Sequence, residues 1–319
     1  MTETVSAAIV ERGASGFSVE SVSLRDPGAN DVVVEIAASA FCFSDWLAVA
    51  GDTGLPALDL YPVVLGHSAV GTVVGGGAEA RWASGTRVVI TATPECGVCF
   101  WCRDGRIDQC EQLFAPAPVL GSLADGREVR MPGASGTYAQ RTVIRDMQVW
   151  PVESDLPDEW FAMFGCGIVS GMGAVANVSP PTPGASVVVV GCGQEGLWMI
   201  QAARILGAGA IIAVEPIAER RALAARVGAT HVIDPADGDA LEAVRALTGG
   251  RGADFGYDAG ATLDSVRDAF AFTRNGGVVT LTTYVTRESR VDLPLFDLAL
   301  RGRDVRSSQS GRLDMRRDL

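Results

Sequence analysis

Residues 186–196 read Ser186-Val-Val-Val-Val-Gly-Cys-Gly-Gln-Glu-Gly196, and this stretch indicates the architecture of the second half of the 319-residue chain. The four valines predict a strand buried on both faces, as in a parallel sheet covered by helices. Glycines 191, 193 and 196 follow in the spacing G-x-G-x-x-G and open a segment of helical periodicity. Together these features predict a dinucleotide-binding βαβ unit. A glycine-rich turn that binds nothing is the alternative.

Each glycine of this motif has a separate predicted role. Gly191 makes a tight turn, Gly193 lets a pyrophosphate approach the backbone, and Gly196 lets the helix pack on the strand. Unpaired N–H groups at the helix N-terminus attract phosphates. Glu215 ends the next strand, where a carboxylate accepts hydrogen bonds from the adenosine ribose and repels a 2′-phosphate. NAD(H) is therefore favoured over NADP(H), while Arg220 either steadies the ribose or permits some NADP(H) binding.

Two domains are predicted from the pattern of strands and helices. Strands and helices alternate after Ser186, which predicts an α/β domain with a doubly wound parallel sheet over residues 153–290. Residues 1–152 instead contain short β-branched runs punctuated by glycine and proline, and these predict a mainly β domain.

Composition excludes several classes of partner. The net charge of −12 argues against nucleic acid and against an anionic membrane surface. The chain begins without a recognisable signal peptide, and its apolar stretches look too short to span a bilayer, so we expect no membrane association. Seven cysteines, mostly in metal-like spacings, fit a cytoplasmic protein.

Four of the cysteines follow the spacing C-x2-C-x2-C-x7-C, at positions Cys96, Cys99, Cys102 and Cys110. Four thiolates at this spacing predict a tetrahedral structural zinc site without an open coordination position. Reduced surface cysteines or a pair of disulfides are the alternatives. Cysteines only two residues apart pair poorly as disulfides, however, because disulfide geometry restricts which neighbours can be bridged.

Cys42, His67 and Cys166 are candidates for a second zinc site. Two thiolates and one imidazole leave a fourth position for water or substrate, which is a pattern of catalytic zinc. Sequence spacing does not connect these residues. Each alone is better explained as a buried thiol or as a histidine with satisfied hydrogen bonds.

At this point the chain resembles the zinc-containing alcohol dehydrogenases of the medium-chain dehydrogenase/reductase superfamily, over essentially its whole length. The resemblance rests on these motifs together with Cys42-Phe-Ser-Asp45, Gly66-His67, Gly136-Thr-Tyr-Ala139, Gly165-Cys166 and Ser170-Gly-Met-Gly-Ala174. It implies a GroES-like catalytic domain over residues 1–152, completed by residues 291–319, and a Rossmann domain over residues 153–290. It also implies two zinc ions per chain, with the catalytic ion held by Cys42, His67 and Cys166.

The resemblance assigns roles to three further residues. Ser44 matches a hydroxyl that hydrogen-bonds the substrate oxygen, and Asp45 matches a carboxylate that orients the zinc-bound histidine. Ser170 matches a hydroxyl near the nicotinamide, although a residue that begins a helix is an equal alternative. The implied activity is hydride transfer between NAD(H) and a small-molecule alcohol or carbonyl compound.

Several positions depart from the family pattern. Phe43 replaces a basic residue, Ser68 replaces a glutamate near the zinc, and Ala92 stands where a bulky pocket aromatic is common. Tyr138 occupies the place of another pocket aromatic. We therefore expect a substrate bulkier than ethanol. A reductase of a C=C or C=N bond and a non-catalytic cofactor-binding scaffold remain alternatives.

The chain also ends before the last elements that the family usually has. An edge left exposed there would favour association, so we expect a homodimer or a homotetramer.

Overall fold

The structure is a computed structural model that describes residues 3–50, 60–93, 96–283, 288–312 and 314. The chain divides into a first unit, Met1–Cys166 together with Asp314–Leu319, and a second unit, Gly167–Leu313. The boundary falls later than the predicted one at residue 152, because Phe161 and Ala162 pack in a core cluster of the first unit with Val70 and Val89.

The first unit is built from antiparallel strands and short helices. Its strands are β1 (Thr4–Val10), β2 (Ser18–Leu24), β3 (Asp31–Ser39), β4 (Val63–Val64), β5 (Ala69–Gly76), β6 (Arg87–Ile90), β7 (Val119–Ser122), β8 (Glu128–Arg130), β9 (Arg141–Arg145) and β10 (Val149–Pro151). Its helices are α1 (Phe43–Ala50), α2 (Phe100–Arg103) and α3 (Asp158–Phe161). Strands β1-β2-β7-β8-β4 close a barrel, and β10-β6-β5-β3-β9 form a five-stranded sheet.

Alternation of side chains explains the barrel core. In β1, Val5, Ala7 and Ile9 are buried and share one face, as the two-residue period of a strand requires. They pack with Leu120 and Val129 of the facing strands. The mainly β character predicted for this part of the chain is therefore confirmed.

The second unit alternates strands and helices. Its helices are α4 (Val169–Gly173), α5 (Gln194–Ile205), α6 (Ala218–Val227), α7 (Ala240–Leu247), α8 (Leu263–Phe272) and α9 (Leu295–Ala299). Its strands are β11 (Ser186–Val190), β12 (Ala210–Val214), β13 (His231–Ile233), β14 (Ala253–Asp258), β15 (Thr273–Leu281) and β16 (Asp304–Ser307).

These six strands form one parallel sheet in the order β13-β12-β11-β14-β15-β16. This order reverses direction between β11 and β14, which is the Rossmann arrangement and places ligands at the carboxyl ends of those strands. Valines 187–190 are buried, as expected for a strand covered on both faces. The predicted doubly wound parallel sheet is confirmed.

Strand β16 corrects part of the predicted domain organisation. Residues 291–319 were expected to complete the catalytic domain, but Asp304–Ser307 pairs parallel to β15 in the sheet of the second unit, and among the described residues of this stretch Asp314 alone groups with the first unit. Val305 packs on that sheet's core. This strand is short and has a single apolar residue, so its sequence carried no strand pattern.

The helical run Asp158–Val178 corrects another expectation. It includes α3, α4 and two π-helical segments, Phe164–Ile168 and Ala174–Val178. Its mean hydropathy of 1.6 and its 21 residues are enough to cross a membrane by length and composition, so the expectation that every apolar stretch is too short is wrong. Within the protein, 61% of its most apolar window is buried, as in the core helix of a globular fold.

Candidate active site

Three distant segments of the first unit bring Cys42, His67 and Cys166 together. Cys42 lies between β3 and α1, His67 lies between β4 and β5, and Cys166 lies in the π-helical segment. Their ligand atoms all lie within 4.8 Å of one another. The Sγ atoms of Cys42 and Cys166 are 4.0 Å apart, although the two residues are 124 positions apart in sequence. π-Helical turns are frequent at functional sites.

The donor set of this cluster fits Zn²⁺. Zn–S bonds of ~2.3 Å in a tetrahedron place two sulfurs about 3.8 Å apart, close to the separation seen here. The hydrogen bond with Cys166 outweighs burial and lowers the pKa of Cys42 to about 4. Burial opposes a charged His67, but hydrogen bonds with Asp45 and Cys42 raise its pKa to about 10. Both shifts favour a Cys42 thiolate beside a protonated His67, and binding of Zn²⁺ would displace the imidazole proton.

Asp45 fixes the orientation of the His67 imidazole. The Asp45 Oδ1 atom lies 3.4 Å from His67 Nδ1 and accepts a hydrogen bond from the Gly66 backbone N–H at 3.2 Å. Although burial opposes its ionisation, hydrogen bonds with His67 and Tyr138 hold the pKa of Asp45 below its usual value. The contact engages Nδ1 and leaves Nε2 as the ligand atom, as in other carboxylate–histidine–zinc arrangements.

The predicted substrate-contacting residues flank this cluster. Ser44, half-buried at the start of α1, hydrogen-bonds the Cys42 thiol through its hydroxyl. The backbone N–H of Ala92 donates to Gly165 O at 3.2 Å, which places Ala92 beside the segment that carries Cys166. Phe43 is 52% exposed.

Tyr138 has a contact that the sequence did not indicate. Its hydroxyl donates a hydrogen bond to Asp45 Oδ2 at 2.7 Å. A tyrosine in a pocket pattern gives no signal for the partner of its hydroxyl, because that partner is set by tertiary structure. The prediction for Tyr138 concerned only the pocket wall.

The four-cysteine lobe forms a second cluster in the first unit. The Sγ atoms of Cys96, Cys99, Cys102 and Cys110 lie within 4.8 Å of one another. Backbone N–H groups of Cys99 and Gln112 donate to Cys96 Sγ and Cys110 Sγ. The seven cysteines, all in the described part of the chain, form no disulfide. The convergence of four sulfurs favours metal binding over disulfide pairing, and the cluster is typical of a structural zinc site.

The glycine motif has the geometry of a phosphate-binding turn. Gly191 has φ +90°, which favours glycine. A Cβ on Gly196 would lie 2.0 Å from Gly191 O, so the close packing of helix on turn requires glycine there. A Cβ on Gly193 would instead point into open space, where a pyrophosphate can approach. Gly193 precedes α5 and makes no side-chain cap, so the helix N–H groups can face a ligand.

Glu215 is turned towards this loop. It is 2% exposed, and its carboxylate accepts hydrogen bonds from the backbone N–H of Cys192 at 2.7 Å and of Ile217 at 3.0 Å. Arg221 donates to Glu215 O at 2.7 Å and pairs with Asp234. The sequence analysis did not identify Arg221, because no motif distinguishes it from the adjacent Arg220.

Two other predicted cofactor residues also lie in the second unit. Arg220 is exposed, while Ser170 is half-buried in α4. The predicted roles of both remain predictions.

Comparison with known proteins identifies two matching families. Residues 28–154 match the alcohol dehydrogenase GroES-like domain, and residues 196–319 match the zinc-binding dehydrogenase family. The GroES-like character expected for the first part of the chain is thereby confirmed.

Individual relatives match over nearly the whole chain. A geraniol dehydrogenase of Castellaniella defragrans is 33% identical over 98% of this chain and 84% of its own. A zinc-binding alcohol dehydrogenase domain protein of Burkholderia ambifaria superposes with a TM-score of 0.89 at 29% identity, covering 97% of this chain and 85% of its own. A benzyl alcohol dehydrogenase of Acinetobacter calcoaceticus also superposes with a TM-score of 0.89. It is 25% identical, and the match covers 99% of this chain and 87% of its own.

Proposed function

The chain belongs to the zinc-containing alcohol dehydrogenase family of the medium-chain dehydrogenase/reductase superfamily, and from this premise we propose that it transfers a hydride between NAD(H) and an alcohol or carbonyl substrate. The observation that carries the proposal is the convergence of Cys42, His67 and Cys166 beside the Ser44 hydroxyl. Three donors leave one coordination position open, and a purely structural site has no use for that position.

The residues of the cluster divide the work of catalysis. When bound, zinc supplies Lewis-acid polarisation of the substrate oxygen, and nicotinamide exchanges the hydride. Cys42, His67 and Cys166 hold the metal, while Asp45 fixes the imidazole. During oxidation the Ser44 hydroxyl would take up the substrate's proton while passing its own proton on to water, and during reduction the same relay would run in reverse. The exposed ring of Phe43 would supply apolar contact to the substrate where the family pattern has a basic residue.

NAD(H) is the proposed cofactor, and we propose two zinc ions per chain. The buried Glu215 carboxylate holds the glycine loop and places negative charge at the adenosine side of the motif. That charge opposes a 2′-phosphate. The exposed Arg220 gives partial compensation, so NADP(H) is expected to bind more weakly rather than not at all.

A substrate bulkier than ethanol fits the surroundings of the cluster. Ala92 lies beside the Cys166 segment, where its small side chain leaves volume. Three large apolar side chains near Cys42 are about half-exposed: Phe41, Phe43 and Trp46. The relatives named for geraniol and benzyl alcohol support an apolar, elongated or aromatic alcohol. Ala92→Phe should lower activity towards large alcohols relative to small ones, and an unchanged size profile would refute this assignment.

A homodimer through the edge of the parallel sheet is the proposed assembly. β16 ends the sheet, and its outer edge pairs with no strand in the described ranges. Helix α9, which precedes it, exposes Leu295 and Phe296. Antiparallel pairing of two copies about Val305 would set Asp304 opposite Arg306, a favourable cross-strand charge pair. Light scattering should give twice the chain mass, and Asp304→Arg should shift the protein towards monomer.

The test of the proposed function joins metal analysis to a cofactor-coupled assay. Elemental analysis of the purified protein should give two zinc ions per chain, and NAD-coupled assays should detect oxidation of apolar alcohols. One ion per chain would leave only the four-cysteine cluster filled and would overturn the proposal. Two ions with reduction of a C=C or C=N bond, but without alcohol oxidation, would favour the reductase alternative.

A further inference from the structure

The Asp45 carboxylate has four close contacts. Three are with the segments that carry Cys42 and His67, and the fourth is with Tyr138, which lies outside those segments. Oδ1 lies near Gly66 N at 3.2 Å and His67 Nδ1 at 3.4 Å. Oδ2 accepts from Cys42 N at 3.1 Å and from the Tyr138 hydroxyl at 2.7 Å. The Tyr138 contact is the shortest of the four. Asp45 is only 3% exposed, so water does not readily replace a lost donor.

Tyr138 is held firmly in the position from which it reaches Asp45. Its backbone N–H donates to Leu65 O at 3.1 Å, and its carbonyl accepts from Ala8 N at 2.8 Å. Its ring meets Phe17 edge-on, with the centroids 6.0 Å apart. Gly66 has φ +83°, and a Cβ there would lie 2.7 Å from the Tyr138 ring. The glycine before His67 therefore makes room for the tyrosine.

Charge complementarity fixes the direction of the hydrogen bond. Burial and the neighbouring Asp45 carboxylate raise the pKa of Tyr138 well above its usual value. The hydroxyl therefore keeps its proton and donates it to the ionised Asp45 carboxylate at 2.7 Å in preference to the neutral Ala40 carbonyl at 3.2 Å. A donor to an ionised, buried acceptor makes a stronger bond than one between neutral groups.

We propose that Tyr138 is a positioning residue for the metal site: its hydroxyl holds the Asp45 carboxylate in the orientation that fixes the His67 imidazole. Asp45 also bonds the Cys42 backbone, so one carboxylate aligns two of the three metal ligands. Without the hydroxyl, Oδ2 keeps only its bond from Cys42 N, and the carboxylate can rotate. The inference rests on the proposed zinc binding at Cys42, His67 and Cys166, but not on the reaction.

Zinc release from Tyr138→Phe tests this inference, because phenylalanine keeps the ring and removes only the hydroxyl. A chromogenic chelator should draw zinc from the three-residue cluster about 10-fold faster than in the unmodified protein, within the range for partners of metal ligands. Release from the four-cysteine cluster should not change, which gives an internal control. A rate within about twofold of the unmodified protein at the three-residue cluster would overturn the inference.

Tyr257→Phe is the matched control. It also removes a buried hydroxyl, one that donates to Ser179 O in the second unit. Its zinc release should match the unmodified protein, and an equal acceleration in both variants would overturn the inference by showing a general loss of stability. A purely pocket-lining Tyr138 would change only the KM for alcohols and leave zinc release unaltered.

Cobalt substitution gives a second readout that does not depend on activity. The visible absorption of Co²⁺ in the three-residue cluster should shift in Tyr138→Phe, because the imidazole changes orientation, and should stay the same in Tyr257→Phe. An unshifted spectrum in Tyr138→Phe would count against the inference. Failure of the unmodified protein to hold a second zinc ion would overturn the proposed function itself, which separates the two results.

Discussion

The two cysteine clusters of the first unit differ in how the chain builds them. Cys96 and Cys110, the ends of the four-cysteine cluster, are 14 positions apart in sequence, whereas Cys42 and Cys166 are 124 positions apart. The first supplies four sulfurs, which complete a tetrahedron, and the second supplies three donors. Local spacing therefore produces a closed site, while the open site exists only after three separate segments have folded together.

The groups that hydrogen-bond the metal ligands also differ between the two clusters. In the four-cysteine cluster, backbone N–H groups donate directly to sulfur, for example Cys99 N to Cys96 Sγ at 3.3 Å. In the three-residue cluster, a side chain contacts the ligand instead: the Asp45 carboxylate contacts the His67 imidazole, and the Tyr138 hydroxyl donates to that carboxylate. A backbone-supported site tolerates changes in neighbouring side chains. A side-chain-supported site can be tuned by single substitutions, so the two clusters should respond differently to the same treatment.

Substitution of Cys42 is expected to have the largest effect on activity and so to distinguish the functions of the two clusters. Cys42→Ser should lower kcat/KM for alcohol oxidation by at least about 10²–10³-fold, the scale seen when one transition-state stabilising group is removed. It should also lower the zinc content by one ion per chain. Steady-state assays and elemental analysis measure both. Full activity in a protein that has lost this ion would break the distinction between an open, catalytic cluster and a closed, structural one.

Cys102→Ser should mainly affect stability. The substitution removes one of four ligands from a closed site, so the lobe should lose its ion and about 3–4 kcal/mol of metal-linked stabilisation, the amount expected from a ligand at several hundred times its Kd. Thermal unfolding followed by circular dichroism measures the loss. Protein that stays folded at assay temperature should retain hydride transfer, and a selective loss of kcat without a lower melting temperature would contradict this assignment.

Chelation of the unmodified protein should show two phases. The open cluster exposes a coordination position to an incoming chelator, while the closed cluster does not, so the first ion should leave about 10-fold faster or more. Activity should disappear with the fast phase, and the melting temperature should fall with the slow one. A single phase that removes both ions together would show that the clusters are not independent.

The smallest effect is expected at the seventh cysteine, which belongs to neither cluster. Cys192 is fully buried, and burial, with the Glu215 carboxylate, raises its pKa to about 12. Its thiolate fraction therefore stays very low at pH 7–9 and rises only as the pH approaches the pKa. Iodoacetamide should leave Cys192 unmodified in the folded protein at pH 7–9, as peptide mass analysis can show. Cys192→Ser should keep both zinc ions.

Much of this architecture was predictable because its signals are local. The buried valines of β11, the glycine spacing after them and the four-cysteine spacing each lie within about 15 residues, where periodicity and ligand geometry operate. The three-residue cluster was different. Spacing could not join Cys42, His67 and Cys166, and the family resemblance supplied that connection.

The failures of prediction have physical causes too. β16 was missed because a four-residue edge strand with one apolar side chain has no measurable alternation. The Tyr138–Asp45 contact was missed because it depends on a glycine with positive φ at Gly66, and no pattern in the sequence reports the space that this turn opens. Side-chain partners of this kind follow from tertiary geometry alone.

The geometry of the three-residue cluster depends on the number of residues in the π-helical segment Phe164–Ile168, which carries Cys166. A π turn holds one residue more than an α turn, and each residue of an α-helix advances the side chains by about 100°. Deletion of the Gly165 codon would therefore turn Cys166 relative to the preceding helix and away from its partners, although all three ligands would remain in the sequence. The presence of all three ligands in a sequence is therefore not enough to form the open site, because the number of residues between them must also be kept.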